Sequence, residues 1–184
     1  MGASIQNEGF EIVTPFLDPE EVRYLQSAVV DAQTDSAHGI RNLLQRVPAV
    51  ANLAVSLKLL SVVEKVLGSR PFPVRGIFFD KTPNANWKVA WHQDLTIAVA
   101  EKKDVPGFGP WSVKDGVVHV QPPMSVLERM LAVRIHLDDC NEDNGPLQVI
   151  PSSHRHGRVD PATIADLKQK GPIVSCVVHE GGLL

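Results

Sequence analysis

The chain has 184 residues, of which 43% are hydrophobic and 21% are charged, and its formal net charge at pH 7 is -3. A chain of this length fits one domain with a sizeable hydrophobic core. Its charge balance lacks the basic surplus of nucleic-acid-binding proteins, and no apolar run is long enough to span a bilayer, so we expect neither nucleic acid nor membrane as a partner.

The first residues do not resemble a secretory signal. Met1 to Ser4 lead into an acidic, aromatic stretch and not into a charged segment followed by an apolar one. The two cysteines, Cys140 and Cys176, lie in different segments and form no C-x-x-C pair, which favours reduced thiols over a disulfide framework. We therefore expect a cytoplasmic protein.

The first third of the chain is predicted to be mostly helical. Asp18 suits a helix N-cap, Pro19 the first helical position and Glu21 a capping box, and apolar residues then recur at helical spacing. A second apolar-periodic segment follows from about residue 40 to 66, is broken near Pro48, and has Gly68 as its predicted C-cap.

From residue 73 onwards, β-branched and aromatic residues punctuated by glycine and proline predict short strands. We expect these strands at about 74–81, 89–94, 96–100, 131–138, 147–150 and 173–179. The intervening segment 103–123 is predicted to be a long binding or lid loop, followed by one or two helical turns at 124–130. Short strands in a chain of this size indicate a sandwich, barrel or jelly roll.

Two H-x-D patterns are candidates for metal binding: His92 with Asp94, and His136 with Asp138. In a strand, residues two apart point to the same side. An imidazole nitrogen and a carboxylate oxygen on one side supply two ligands of the two-His-one-carboxylate site of non-haem Fe(II) proteins. The spacing alone does not choose between the pairs, and a solvated polar face accounts for either.

The predicted strand 131–138 carries Arg134 on its polar face. A buried arginine needs an anionic partner, so this face is either solvated or lines a cavity that holds an acid. The acidic loop 138–145 ends in Asn-Gly, a hairpin-turn signal, and is interpreted as a solvated turn because its spacing does not match a calcium loop. Segment 151–157 has two histidines flanking Arg155, either to bind an anion or as an exposed polar loop. Asp160 before a proline predicts a further short helix.

Several motifs occur in the order found in one family: Phe79-Asp80-Lys81-Thr82-Pro83, Trp91-His92-Gln93-Asp94-Leu95, Leu137-Asp138-Asp139, Asn144-Gly145-Pro146-Leu147 and Ile150-Pro151-Ser152-Ser153-His154-Arg155. Together they resemble the phytanoyl-CoA dioxygenase family of Fe(II)- and 2-oxoglutarate-dependent oxygenases. The resemblance implies a single domain over 1–184, mainly β with N-terminal helices. Its helical part extends to about residue 70, and a double-stranded β-helix (jelly roll) follows from about 71.

The resemblance also implies a site. The family's H-x-D lies in a His-Gln-Asp context, so His92 and Asp94 are the implied iron ligands, while Gln93, Ile77 and Arg134 occupy positions that line the 2-oxoglutarate site. Arg134 replaces an aromatic residue of some members, and its guanidinium would suit a carboxylate. The implied activity is hydroxylation of a small organic substrate, with Fe(II) as cofactor and 2-oxoglutarate as co-substrate.

In the family, a third iron ligand, a histidine, and an arginine that anchors 2-oxoglutarate follow a Gly-Gly turn. Here Gly181-Gly182 is followed by Leu183 and Leu184, so we expect a truncated jelly roll without its last strands, whose exposed strand edges favour self-association. Three functions stay open: a truncated member with little activity, an oxygenase completed by a histidine such as His179 or one from a partner chain, and a non-catalytic module that binds an organic acid.

Overall fold

The computed structural model describes residues 3–33, 39–80 and 89–184. Their helices are α1 (Ala3–Glu8), α2 (Pro19–Ala32), α3 (Leu43–Arg46), α4 (Pro48–Ala54), α5 (Leu57–Leu67), α6 (Met124–Leu127) and α7 (Pro161–Lys170), with a 3-10 helix at Ser153–His156. Their strands are β1 (Gly39–Ile40), β2 (Phe78–Phe79), β3 (Ile97–Val99), β4 (Trp111–Lys114), β5 (Val117–Val120), β6 (Leu147–Val149) and β7 (Val174–Cys176).

The chain divides into two compact units. The first unit comprises Met1–Val30 and Leu131–Leu184, and the second comprises Asp31–Met130. Within the described ranges, no helix is long and apolar enough to cross a membrane.

Helix α2 begins as the sequence predicts. Asp18 Oδ1 accepts hydrogen bonds from the backbone N–H groups of Glu20 (2.9 Å) and Glu21 (2.8 Å), while the Asp18 N–H donates to Glu21 Oε2 at 2.9 Å. This reciprocal pair is a capping box, which satisfies N–H groups that the first turn leaves without helical partners. The apolar positions predicted at helical spacing are buried: Val22, Leu25 and Val29.

The second predicted helical segment forms three short helices, α3, α4 and α5. Pro48, where the sequence predicts a break, begins α4, since proline suits the first turn of a helix. Ser56 caps α5 by accepting the Leu59 N–H at 3.2 Å. Gly68 ends it with φ 67° and donates its N–H to the Glu64 carbonyl, which confirms the predicted C-cap.

The second unit contains an antiparallel sheet in the order β3-β5-β4. Its hairpin β4–β5 lies inside segment 103–123, so the prediction of one long loop there is wrong. The two connecting residues, Asp115 and Gly116, both have positive φ (49° and 76°), as a two-residue type I′ turn requires. Asp-Gly is a strong sequence signal for that turn.

Two predicted strands of this unit are largely irregular. Residues 89–96 form no strand, and β3 starts only at Ile97. Of the described part of segment 74–81, only Phe78 and Phe79 form a strand, which pairs with Gly39 and Ile40. Residues 81–83, the last three of motif 79–83, lie outside the described residues. Both errors have one cause, because side-chain pattern cannot show whether a neighbouring strand supplies hydrogen bonds.

In the first unit, residues 181–184 lie between two other segments. Leu183 pairs with Val13 on one side and with Ile135 on the other. The Arg134 and Leu184 backbones exchange two hydrogen bonds of 2.7 and 2.8 Å. Segment 131–138 is therefore extended next to the C-terminal residues but forms only an isolated bridge, and the regular strand predicted there is wrong.

Strands β6 and β7 confirm two predicted strands in shortened form. Cys140 and Leu147 both pair with the segment that contains β7, opposite Val178 and Cys176 respectively. Residues 141–146 therefore form a loop between two residues that pair with the same strand, and they do not join two strands of a hairpin. The hairpin turn predicted from Asn-Gly is thus wrong. The loop is the exposed turn that the sequence predicts. Helix α7 is also confirmed, with Asp160 Oδ1 accepting the Thr163 N–H at 2.7 Å.

Candidate metal centre

The structure brings the His92 and Asp94 side chains together. His92 Nε2 lies 3.7 Å from Asp94 Oδ1, and the two side chains are 55% and 91% exposed. Although residues 89–96 form no strand, exposure alternates along them: His92 and Asp94 are exposed, while Trp91, Gln93 and Leu95 are half-buried. The local chain therefore keeps the two-residue alternation that places the H-x-D side chains on one side.

A backbone carbonyl fixes the proton of the His92 ring. His92 Nδ1 lies 2.6 Å from the Ala90 carbonyl oxygen. A carbonyl only accepts, so Nδ1 must donate, and in the neutral ring Nε2 then carries a lone pair on the side of Asp94. Metal-binding histidines usually donate their second N–H to such an oxygen.

The spacing of the two side chains fits a shared ion. Divalent metals bind imidazole nitrogen and carboxylate oxygen at about 2.0–2.2 Å, which places two adjacent ligand atoms about 3 Å apart. The observed distance between His92 Nε2 and Asp94 Oδ1 is 3.7 Å. A small side-chain rotation would shorten it to the required value, and the exposure of both groups permits such a rotation. The pair can therefore supply two ligands to an ion such as Fe(II).

Among the residues that the structure describes, none is brought to this pair as a third ligand. Within the described ranges, no group of three His, Cys, Asp or Glu side chains is placed to hold a metal ion. His179, named as a candidate third ligand, belongs to the first unit, where its Nδ1 lies 3.4 Å from Asp139 Oδ1. The Glu180 N–H, donating to Asp139 at 2.8 Å, and then His179 lower the pKa of the Asp139 carboxyl.

Two of the three residues expected to line the 2-oxoglutarate site belong to the same unit as the H-x-D pair. Gln93 is half-buried between His92 and Asp94, and Ile77 is half-buried just before β2. Arg134 belongs to the first unit and is exposed.

The second H-x-D pattern lies in a different environment. His136 is 9% exposed, and its Nδ1 has no hydrogen-bond partner among the described residues. Burial, and then the Arg134 charge, lower the pKa of His136, although Asp138 and a hydrogen bond with the Gly182 backbone oppose this. The imidazole is therefore held neutral inside the first unit.

Strand β5 carries a buried histidine, His119. His119 is 1% exposed, and its Nδ1 lies 2.9 Å from the Val117 carbonyl, so Nδ1 donates and, in the neutral ring, Nε2 is an acceptor. No described group donates to that Nε2, and an orphaned buried acceptor costs about 1–3 kcal/mol. His119 pairs with Ala98 of β3, the strand that follows Asp94. Sequence pattern could not have indicated this, since the orphaned atom depends on tertiary packing.

The loop 151–157 binds the end of α1. The Ser152 N–H donates to the Glu8 carbonyl and its Oγ to the Asn7 carbonyl, both at 2.8 Å. Arg155 donates to the Gln6 carbonyl at 3.1 Å and to Asn7 Oδ1 at 2.7 Å. These contacts satisfy carbonyls that the last turn of a helix leaves unpaired. The loop is thus the exposed polar loop of the two alternatives, and its arginine holds a helix end.

Comparisons with known proteins agree with the motifs. The model of the phytanoyl-CoA dioxygenase (PhyH) family matches residues 5–184. The ectoine dioxygenase of Sphingopyxis alaskensis is 25% identical over an alignment of 169 residues that covers 83% of this chain and 48% of that protein. The ectoine dioxygenase of Bordetella bronchiseptica is 27% identical over 138 residues, 75% of this chain and 38% of that protein. The chain thus spans about half, or less, of the length of these curated relatives.

Solved structures show the same fold. EctD from S. alaskensis with bound Fe has a TM-score of 0.63 at 20% identity, covering 98% of this chain and 64% of that chain. HygX from Streptomyces hygroscopicus was solved with nickel, 2-oxoglutarate and hygromycin B bound. It has a TM-score of 0.62 at 16% identity, and the match covers 97% of this chain and 73% of that chain. The predicted fold class, mainly β with N-terminal helices and of the double-stranded β-helix type, is confirmed by these likenesses.

Proposed function

The chain belongs to the phytanoyl-CoA dioxygenase family, and from this membership we propose that it contributes two iron ligands, His92 and Asp94, to an Fe(II)- and 2-oxoglutarate-dependent hydroxylation of a small organic substrate. One observation carries the proposal: the Ala90 carbonyl holds the His92 ring so that Nε2 lies 3.7 Å from Asp94 Oδ1. When bound, Fe(II) and 2-oxoglutarate would supply hydroxylation of a C–H bond by dioxygen, one oxygen atom going to the substrate and the other to succinate, with release of carbon dioxide.

The chain's own residues orient the ligands of this site. His92 and Asp94 would hold the ion by Nε2 and a carboxylate oxygen, with the Ala90 carbonyl keeping the proton on Nδ1. Gln93 and Ile77 are proposed to line the 2-oxoglutarate site. Arg134 is proposed to bind a carboxylate of 2-oxoglutarate, since a guanidinium pairs with a carboxylate through two parallel hydrogen bonds.

The substrate class rests on the relatives. Two of them are ectoine dioxygenases, and HygX was solved with hygromycin B. We therefore propose a small polar organic molecule, with ectoine as the first compound to test. Residence in the cytoplasm is proposed because Cys140 and Cys176 are both free thiols. Self-association is proposed because the described sheets have only two or three strands, and an exposed strand edge can pair with another chain.

A second candidate function is a non-catalytic module that binds an organic acid. The observation that favours it is the absence, among the residues with described positions, of a group of three metal ligands. Such a module would bind 2-oxoglutarate equally well with and without Fe(II).

Succinate release tests the first function against the second. The chain is incubated anaerobically with Fe(II), 2-oxoglutarate and ectoine, and succinate is measured after air is admitted. We expect succinate from the wild type, its loss in His92→Ala, and wild-type levels in His156→Ala, which removes an exposed histidine of the first unit. Wild-type succinate levels in His92→Ala would contradict the proposed ligand, and 2-oxoglutarate binding without succinate would favour the module. A loss of both succinate release and bound Fe(II) in His179→Ala would be expected only if His179 is a further ligand.

A further inference from the structure

The second unit contains a cavity of about 370 Å³ that the proposed metal centre does not use. It is lined by Gly39, Arg41, Asn42, Arg46 and Asp115. Its volume lies within the range of small-molecule pockets, about 300–1,000 Å³. Two arginines and one aspartate line it, so its charged groups sum to a positive charge.

Both guanidinium groups are held in place by one hydrogen bond each. Arg41 Nη1 donates to Asp115 Oδ2 at 2.9 Å, and Arg46 Nη2 donates to the Ala32 carbonyl at 2.9 Å. A guanidinium carries five N–H donors, and in the described part of the chain neither group has another partner. Each arginine is thus oriented and retains donors for a ligand.

Asp115 competes only weakly for Arg41. The two side chains are 60% and 49% exposed, and exposed ion pairs contribute little because solvent screens them. The Ala32 partner of Arg46 is a neutral carbonyl, so the positive charge of Arg46 is not neutralised by it. An anion that enters the cavity could therefore bind both guanidinium groups and would disrupt only the weak ion pair between Arg41 and Asp115.

The backbone at the cavity is also unusual. Asn42 and Asp115 have φ values of 57° and 49°, in the left-handed region that residues other than glycine seldom adopt. The Asn42 Nδ2 donates to the Asp115 carbonyl at 3.2 Å, which joins the two. At Asp115 the two-residue hairpin turn requires this conformation, and the hydrogen bond from Asn42 fixes the turn beside the cavity.

We propose that this cavity binds an oxyanion, the phosphate or carboxylate group of a small ligand, between Arg41 and Arg46. The planar fork of a guanidinium matches either group through paired hydrogen bonds. This site goes beyond the proposed oxygenase function and does not depend on it.

Calorimetric titration of the whole chain at low ionic strength tests the proposal, with inorganic phosphate and succinate as separate probes. Saturable binding of at least one probe is expected, and the tighter one identifies the group. Arg41→Gln and Arg46→Gln should each weaken binding by about tenfold or more, since each removes charge-assisted hydrogen bonds. Arg70→Gln makes the same charge change at an exposed position of this unit and should leave binding nearly unchanged.

Asp115→Asn supplies the opposite test. Asn-Gly suits the two-residue turn as well as Asp-Gly, so the hairpin is retained. Removing the carboxylate should tighten binding of the favoured probe by about threefold or more, because like charges repel. No saturable binding of either probe, an equal loss in Arg70→Gln, or weaker or unchanged binding in Asp115→Asn would each overturn the proposal.

Discussion

At the scale of single residues, backbone carbonyls orient the imidazole rings of two histidines and keep a proton on Nδ1 of each. The Ala90 carbonyl orients His92, and the Val117 carbonyl orients His119 in the same way, each two positions before its histidine. His92 then presents an exposed nitrogen beside a carboxylate, whereas the corresponding nitrogen of His119 is buried. The difference in burial, and not in residue type, separates a candidate ligand from an interior group.

Burial of His136 should make stability depend on pH. Its pKa is lowered in the native chain, chiefly by burial. Well above pH about 6.5 the ring is neutral in both states, and as pH falls below that value the unfolded chain takes up a proton that the native chain resists. Stability should therefore fall as pH decreases through this range, down to the lowered native pKa.

Urea unfolding at about pH 7.5 and about pH 5.5 measures this effect. The wild type should lose more unfolding free energy on acidification than His136→Phe does. The exposed control, His156→Phe, should show the wild-type loss. An identical pH dependence in the wild type and His136→Phe would exclude His136 as its source.

Gly182 should not tolerate a side chain. A Cβ there would lie 2.6 Å from Val178 Cγ1, 2.8 Å from the His179 carbonyl oxygen and 2.9 Å from Thr14 Oγ1. Overpacking of this kind costs about 1–3 kcal/mol. Thermal and urea unfolding of Gly182→Ala should show a loss of that size, and wild-type stability would disprove the close packing.

At the scale of elements, helix ends were predictable and strand pairing was not. Asp18 and Gly68 act within a few residues of their own positions, so local sequence determines them. The H-x-D pair was found from its spacing and motif context, although its segment is irregular. Strand 131–138 was predicted from alternation, but its hydrogen bonds depend on residues 181–184, which are distant in sequence. The side-chain pattern shows which residues share one face of a strand, but it does not show which other segment pairs with that strand.

The contact between loop 151–157 and α1 should hold that helix in place. Arg155 donates to the Gln6 carbonyl and to Asn7 Oδ1 in the last turn of α1. A positive charge is favourable at a helix C-terminus. Arg155→Ala should cost about 1 kcal/mol locally and speed amide hydrogen exchange at Gly9, whose N–H donates to the Ile5 carbonyl. His156→Ala is the matched control. Unchanged exchange in Arg155→Ala would show that the other contacts suffice.

At the scale of the whole molecule, the fold class was predictable because several motifs occur in family order, and the order of motifs constrains the topology. The division into two units was not predictable, since it depends on contacts between residues far apart in sequence. The interior position of residues 181–184 was missed for the same reason. Leu183 is only 5% exposed and is bonded to segments near residues 13 and 135.

Leu183 should therefore be a major contributor to stability. Truncating a buried leucine to alanine costs about 2–5 kcal/mol. Leu57 offers a matched control, since it is 87% exposed, and Leu57→Ala should change stability by less than about 0.5 kcal/mol. Urea unfolding should separate the two variants clearly, and equal stabilities would contradict the interior position of Leu183.

Anaerobic equilibrium dialysis of Fe(II) against the whole chain with 2-oxoglutarate measures whether His92 and Asp94 bind iron. We expect one bound iron per chain, with an affinity lower by about tenfold or more in His92→Ala and in Asp94→Ala, and unchanged in His156→Ala. Iron bound by both ligand variants as tightly as by the wild type would contradict this expectation.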